Sequence, residues 1–241
     1  MTHIVIVGLG PSAESYLDHV KRYGSRQAFA DQVWAINGMG AVLDCDLVFH
    51  MDDVRIQEIR AAAKPQSNIA NMLKWLRVAN KPVMTSFKHP DYPTLQEFPL
   101  EDVVNFLGRG YFNGTAAYAV VYAIYKGATK ISMFGCDFTY PDAHKAERGR
   151  ACVEFWLGYA AAKGIEIALP SNTSLMDAMD DDDEDDIPSY GYDAVKISCA
   201  RDDEGRMKLT FTPRDRLPTA EEIEGAYDHG KHPLAQRKPK G

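Results

Sequence analysis

A chain of 241 residues with 45% hydrophobic and 25% charged residues is ordinary globular material, long enough for one substantial core or two small ones. Its apolar runs are broken by Gly, Asp or Lys well short of the roughly eighteen residues that a membrane span needs, and Met1 to Gly10 enter a strand pattern without the basic and long apolar regions of a secretory leader. A cytoplasmic protein is therefore expected. The formal net charge of −7 resides in seven consecutive acids, Asp180 to Asp186; outside that run acids and bases balance, so a nucleic-acid-binding surface is not indicated.

In chain order, short β-rich runs alternate with longer helical patterns through about residue 178, the pattern of βαβ units around a parallel sheet. Strands are predicted at Ile4 to Val7, Val33 to Ile36, Leu47 to His50, Val83 to Thr85, Ile131 to Phe134 and Ile165 to Leu169. Helices are predicted at Ser12 to Arg22, Val54 to Ala63, Ile69 to Val78, Thr115 to Tyr125 and His144 to Ala162, with Ser12 and Asn113 as caps. Lys88 to Tyr111, with Pro90, Pro93 and Pro99, reads as an irregular excursion with one short helix, a candidate wall of a site. The acidic run repels itself and is expected to be a mobile loop. Ala194 to Ala200 and Arg206 to Thr212, around Arg201 to Gly205, read as a β-hairpin. The expected organisation is a Rossmann-like, doubly wound, largely parallel α/β domain over 1–178, an acidic loop over 179–193, an accessory hairpin over 194–216 and a flexible tail over 217–241.

Polar and Gly-rich clusters fall immediately after the predicted strands, where open α/β sheets bind ligands. Gly8 and Gly10 leave room for backbone to approach phosphate at the start of a helix, and Ser12 adds a hydroxyl; a tight turn whose glycines permit close packing is the alternative. Gly8 to Ala13 also satisfies Gly-x-Gly-x-x-Ala, but Asn37 stands where a dinucleotide site wants an acid, and Pro11 lies within the turn. Asn37 suits a ribose or base edge, or merely forms a turn before Gly38. Asp52 and Asp53 either hold Mg²⁺ on a diphosphate or cap the next helix. Asn113 and Gly114 open an Ala-rich helix that could receive a ligand or simply be capped.

His144, with Tyr140 nearby, is the candidate general acid or base; a surface histidine at a helix start is the alternative. His50 reads either as a second candidate acid or base or as a satisfied core histidine, and Asp137 as a structural acid that fixes its loop or as a catalyst. Cys45, Cys136, Cys152 and Cys199 lack zinc-site spacing and read as buried thiols.

Gly8-Leu9-Gly10-Pro11-Ser12, Asn37, Asn113-Gly114, the block Lys126 to Phe138 and Pro170-Ser171-Asn172-Thr173-Ser174-Leu175, in this order, resemble the conserved blocks of two related groups. One is the small bacterial sialyltransferases that use CMP-sialic acid; the other is the 6-hydroxymethylpterin diphosphokinase MptE-like proteins. The resemblance covers roughly residues 3 to 178. It implies that Gly8, Gly10, Ser12, Asn37, Asn113, Gly114 and Ser171 line a nucleotide pocket, that Tyr140 lies beside the nucleotide, and that His144 is a base. Asp52 and Asp53 depart from the sialyltransferase pattern and are similar to the acidic strand end of the MptE-like group. The implied activity is a transferase moving a glycosyl or diphosphate group from a nucleotide donor, CMP-sugar or ATP with or without Mg²⁺, to a small acceptor hydroxyl. A nucleotide- or metabolite-binding protein without catalysis is the alternative, and formation of a homo-oligomer is left open.

Overall fold

Near-continuous apolar runs in the central short strands bury both faces of one sheet. In the computed structural model, which describes residues 2–139, 141–177, 191–192, 194–217 and 219–222, the first unit runs β1 (His3–Val7), α1 (Ala13–Tyr23), α2 (Arg26–Phe29), β2 (Gln32–Ile36), a 3-10 turn (Asn37–Ala41), β3 (Leu47–Phe49), α3 (Val54–Ala63), α4 (Asn68–Val78) and β4 (Val83–Thr85). It continues through β5 (Leu95–Glu97), α5 (Leu100–Leu107), α6 (Thr115–Tyr125), β6 (Lys130–Phe134), α7 (Ala143–Ala162) and β7 (Glu166–Ala168), with a short 3-10 turn at Leu175–Asp177. The seven strands pair in parallel in the order β5-β4-β3-β2-β1-β6-β7. This is a doubly wound α/β fold: the chain works outward from β1 to β5, then returns to the other side of β1 for β6 and β7.

The strand period of two divides the core. Ile4, Ile6, Trp34, Ile36, Leu47 and Phe49 face the layer made with α5, α6 and α7, where Val120, Val121, Trp156 and Leu157 are buried. Val5, Val7, Val33, Ala35 and Val48 face the opposite layer, against Tyr16 of α1 and Leu73 and Leu76 of α4. Covering both faces is what a parallel sheet requires.

The Pro-rich excursion contains more order than its sequence pattern announces. Leu95–Glu97 forms β5, an edge strand paired with β4, because Leu95 alone of its residues turns into the core while Gln96 and Glu97 stay exposed. One buried side chain in three residues leaves no period to read.

The chain divides into two compact units, Met1–Met179 and Asp180–Gly241. In the second, β8 (Val195–Arg201) and β9 (Met207–Pro213) pair antiparallel. Their turn is set by the Asp202 carboxylate, which accepts from the backbone N–H groups of Glu204 and Arg206, and by Gly205 at φ 78°. The acidic run Asp180 to Asp186, Tyr140 and residues 223–241 lie outside the described residues. Among the described residues, no helix is long and apolar enough to cross a membrane.

Candidate functional site

The strand order reverses between β1 and β6, so the segments leaving their carboxyl ends diverge and open a crevice. A cavity of about 640 Å³ occupies it, within the range of small-molecule sites. Its floor is the meeting of two glycine turns. The Gly8 and Gly10 N–H groups donate to the Phe134 and Gly135 carbonyls at 2.8 and 2.7 Å. A Cβ on Gly8 would overlap the Gly135 carbonyl, and one on Gly135, at φ 65°, would overlap that of Gly8. A Cβ on Gly10 would lie 2.5 Å from Asp137 Oδ2 and 2.9 Å from the Gly135 oxygen. These glycines line the cavity, but their missing side chains serve the close approach of two protein backbones.

The amino end of α1 is occupied by protein. Asp137, buried after β6, accepts from the Ser12 N–H at 2.8 Å and from the Ser12 hydroxyl at 2.5 Å, and that hydroxyl in turn accepts from the Gly135 N–H at 2.7 Å. The next three N–H groups, those of Ala13, Glu14 and Ser15, bond to carbonyls of Gly10, Pro11 and Ser12. Ser12 is wholly buried, makes no side-chain cap bond and does not line the cavity, which corrects the expectation that its hydroxyl meets a phosphate. A carboxylate on a helix amino end is favourable for the reason a phosphate there would be, and it fills the place. Ser174 anchors the same residue by donating its hydroxyl to the Asp137 carbonyl.

On the β2–β3 side, Asn37 lines the cavity in a left-handed conformation at φ 50°. His50, 2% exposed, places Nδ1 3.0 Å from Asn37 Oδ1 and Nε2 3.1 Å from Oε1 of Gln57, a buried residue of α3. Burial pushes the His50 imidazole below its usual range, against the pull of the Asp52 carboxylate and the Gln57 hydrogen bond. Asp52 is exposed and lines the cavity. Asp53 turns away: it caps α3 by accepting from the Arg55 N–H at 3.0 Å and pairs with the Arg55 guanidinium at 2.6 Å. The expected Asp52–Asp53 metal pair therefore divides between a cavity wall and a helix cap.

Among the described residues, the three side chains placed to share a metal ion are instead Glu58, His89 and Asp91, outside the cavity lining. There His89 Nδ1 accepts from the Asp91 N–H at 3.2 Å, which leaves the proton on Nε2, and the Arg77 guanidinium holds Glu58 at 2.8 Å. Both features oppose a cation.

The remaining walls come from α6 and α7. Gly114, not Asn113, occupies the cap position of α6, and no side chain caps the helix. Among the described residues the N–H groups of Thr115 and Ala116 have no acceptor, and both residues line the cavity with Asn113 and Gly114. An eleven-residue helix thus ends open at the crevice.

Lys145 and Gly149, one helical turn apart on α7, complete that side. A Cβ on Gly149 would lie 2.6 Å from the Phe138 ring, so this glycine lets the β6 loop lie flat on the helix. His144 is exposed on the first turn of α7 and does not line the cavity; Ser171 is exposed and does not line it either; Tyr140 lies outside the described residues. Cys136 does line the cavity, but burial pushes its thiol up to about 12, helped by Asp137 and opposed by the Gly8 N–H, so it is held as a neutral thiol rather than a nucleophile.

Lys145 and Asp137 are the lining charges that the sequence pattern did not single out as binding groups. The i, i+4 spacing of Lys145 and Gly149 is the one sign of it, visible once the helix phase is known.

No protein-family model and no curated protein matches the chain. Among solved structures, the chain is similar to the sialyltransferase CstII from Campylobacter jejuni, described in complex with a substrate analogue, cytidine-5'-monophosphate. The identity is 15%, the likeness covers 93% of this chain and 98% of that one, and the TM-score is 0.43.

Proposed function

We propose that the chain is a nucleotide-dependent transferase whose donor lies in the β1/β6 crevice, with its phosphate on the open amino end of α6 and beside Lys145. The observation that carries this reading is the contrast between two helix ends at one cavity: α1 holds the Asp137 carboxylate, whereas the Thr115 and Ala116 N–H groups have no protein acceptor among the described residues. Asn37 and Asn113 offer amide groups for a base or ribose, and the exposed apolar side chain of Leu9 offers a face for a ring.

Charge argues for the kind of donor. The lining carries Asp52 and Asp137 against Lys145, and the Asp52–Asp53 pair does not converge on a metal position. A polyphosphate without its cation meets stronger repulsion there than a nucleotide joined to its transferable group through a single phosphate, which carries only one negative charge for Lys145 to offset. A CMP-sugar type of donor is therefore favoured over ATP with Mg²⁺. Asp52, the lining carboxylate not already bonded to Ser12, is the proposed base for the acceptor hydroxyl. One observation favours a purely binding role instead: His144 is not among the cavity-lining residues.

The experiment is a thermal-shift and calorimetric series with CMP, a CMP-sugar and ATP, each with and without Mg²⁺, followed by a donor-consumption assay. Stabilisation by CMP-type ligands independent of Mg²⁺, with donor consumption, is expected. Stabilisation by ATP and Mg²⁺ alone would favour diphosphate transfer, and tight binding without consumption would favour the binding role.

A further inference from the structure

The cavity wall at Asn37 has a buried support that the proposed chemistry leaves unused. His50 lies between two amides, with Asn37 Oδ1 at 3.0 Å on one ring nitrogen and Gln57 Oε1 at 3.1 Å on the other. A neutral imidazole carries one N–H and one lone pair, so it cannot donate to both oxygens, and one amide must present its NH2 to the ring. Turning Asn37 would aim its carbonyl into a cavity whose wall already carries the Asp52 and Asp137 carboxylates. Turning Gln57, which does not line the cavity, changes nothing there. The less costly arrangement has Gln57 giving its NH2 to Nε2 while Nδ1–H donates to Asn37.

We infer that His50 is a positioning residue, held as the Nδ1–H tautomer by Gln57, which locks the Asn37 amide with its NH2 facing the cavity, so that the site reads a hydrogen-bond-accepting edge of its ligand at this wall. The lock acts on a residue that needs one. Asn37 sits at φ 50°, at the junction of β2 and a 3-10 turn, on the wall of the cavity, where the orientation of its amide sets what it presents to a ligand. A group with carbonyl oxygens or unprotonated ring nitrogens, such as the 2-keto edge of a pyrimidine, pairs with such a donor; an exocyclic amino group does not. Discrimination of this kind is steep, because the wrong ligand leaves a polar group unpaired in a desolvated site. This inference rests on the reading of the crevice as a nucleotide site, but its first test does not.

That test is a long-range proton–nitrogen correlation spectrum of the full ¹⁵N-labelled chain without ligand near neutral pH, with the His50 ring assigned by comparison with His50→Gln and by through-space contacts to the Asn37 and Gln57 amides. A protonated Nδ1 and bare Nε2 are expected; a protonated Nε2 overturns the inference. The second arm measures CMP affinity by calorimetry. Asn37→Asp, which keeps the shape and replaces NH2 by oxygen, is expected to weaken CMP by about tenfold or more, and His50→Phe by about tenfold, with His50→Asn recovering much of the loss because its amide N–H can take the place of Nδ1–H. Unchanged CMP affinity in a folded His50→Phe chain overturns the positioning role. Failure of the wild-type chain to bind CMP contradicts the nucleotide reading and leaves the ring spectrum to decide the tautomer.

Discussion

The Ser12 hydroxyl donates to Asp137 Oδ1 at 2.5 Å, joining the turn after β1 to the turn after β6 across 125 positions of sequence. The same hydroxyl accepts from the Gly135 N–H, so one small side chain satisfies two buried groups at the point where the sheet reverses. Ser12→Ala removes the partner of the Gly135 N–H and of Asp137 Oδ1, while Oδ2 keeps the backbone N–H of residue 12, and is expected to cost about 1–3 kcal/mol of stability. Denaturant unfolding measures it, and an unchanged midpoint would show that water replaces the hydroxyl there.

Glycines around the cavity separate into two kinds. Gly10→Val drives a branched side chain against Asp137 and the Gly135 carbonyl, and is expected to destabilise the fold by about 1–3 kcal/mol or more rather than to remove binding from an intact protein. Gly114→Ala meets nothing within 4 Å and is expected to stay within about 1 kcal/mol of the wild type. Equal melting temperatures for the two variants would contradict the close-packing role of Gly10.

Three side chains near the crevice are expected to separate binding from chemistry. Lys145→Gln should weaken CMP by about tenfold with little change in stability, since Lys145 is exposed and lines the cavity. Asp52→Asn should lower donor turnover by about a hundred- to ten-thousand-fold while CMP still binds. His144→Ala should leave CMP affinity within about twofold of the wild type, because His144 is not part of the lining. Calorimetry and initial rates on the same preparations check all three, and a hundred-fold loss of turnover in His144→Ala alone would move the proton transfer to α7.

Far from the crevice, Asp46 ties α2 to β2. Its carboxylate accepts from Arg26 at 2.5 and 3.0 Å and from the Val33 N–H at 2.7 Å. Burial works against the charged form, but these partners outweigh it and hold the carboxyl below its usual range. Because the folded pKa lies below the unfolded value of about 3.9, the stability that Asp46 contributes is fully present above that value and is lost as pH falls through the folded one. Asp46→Asn is expected to cost about 1 kcal/mol near neutral pH and progressively less in that acidic window. Unfolding midpoints of the two proteins that keep a constant gap down to the acid limit would contradict this assignment.

Strands β1 to β4 and β6 and helices α4, α6 and α7 were legible because each buries several side chains along one apolar run or helical face, whereas β7, with no fully buried residue, and α1 and α3, with one buried apolar residue each, were legible from apolar spacing alone. The fold class followed from their alternation. β5 was not legible, since a single buried Leu95 carries no period. Gly8, Gly10, Asn37 and Asp52 were placed at the cavity by the rule that ligands sit at strand carboxyl ends, and Asn113 and Gly114 by the polar, small-residue start of a helix. The partner of each group was beyond that rule. Whether the amino end of α1 faces a phosphate or Asp137 depends on a contact between loops far apart in sequence, and the Gly-x-Gly pattern is the same in both cases. Likewise, only helix phase decides that Lys145 rather than His144 reaches the cavity.

The central claim, that the ligand phosphate rests on the amino end of α6, is tested most directly by a backbone amide proton–nitrogen titration of the labelled chain with CMP. The largest shifts are expected at Gly114, Thr115 and Ala116, with the Ser12 amide little changed because Asp137 already holds it. Large shifts at Ser12 to Glu14 with residues 114–116 unmoved, or no shifts at either helix end, would contradict it.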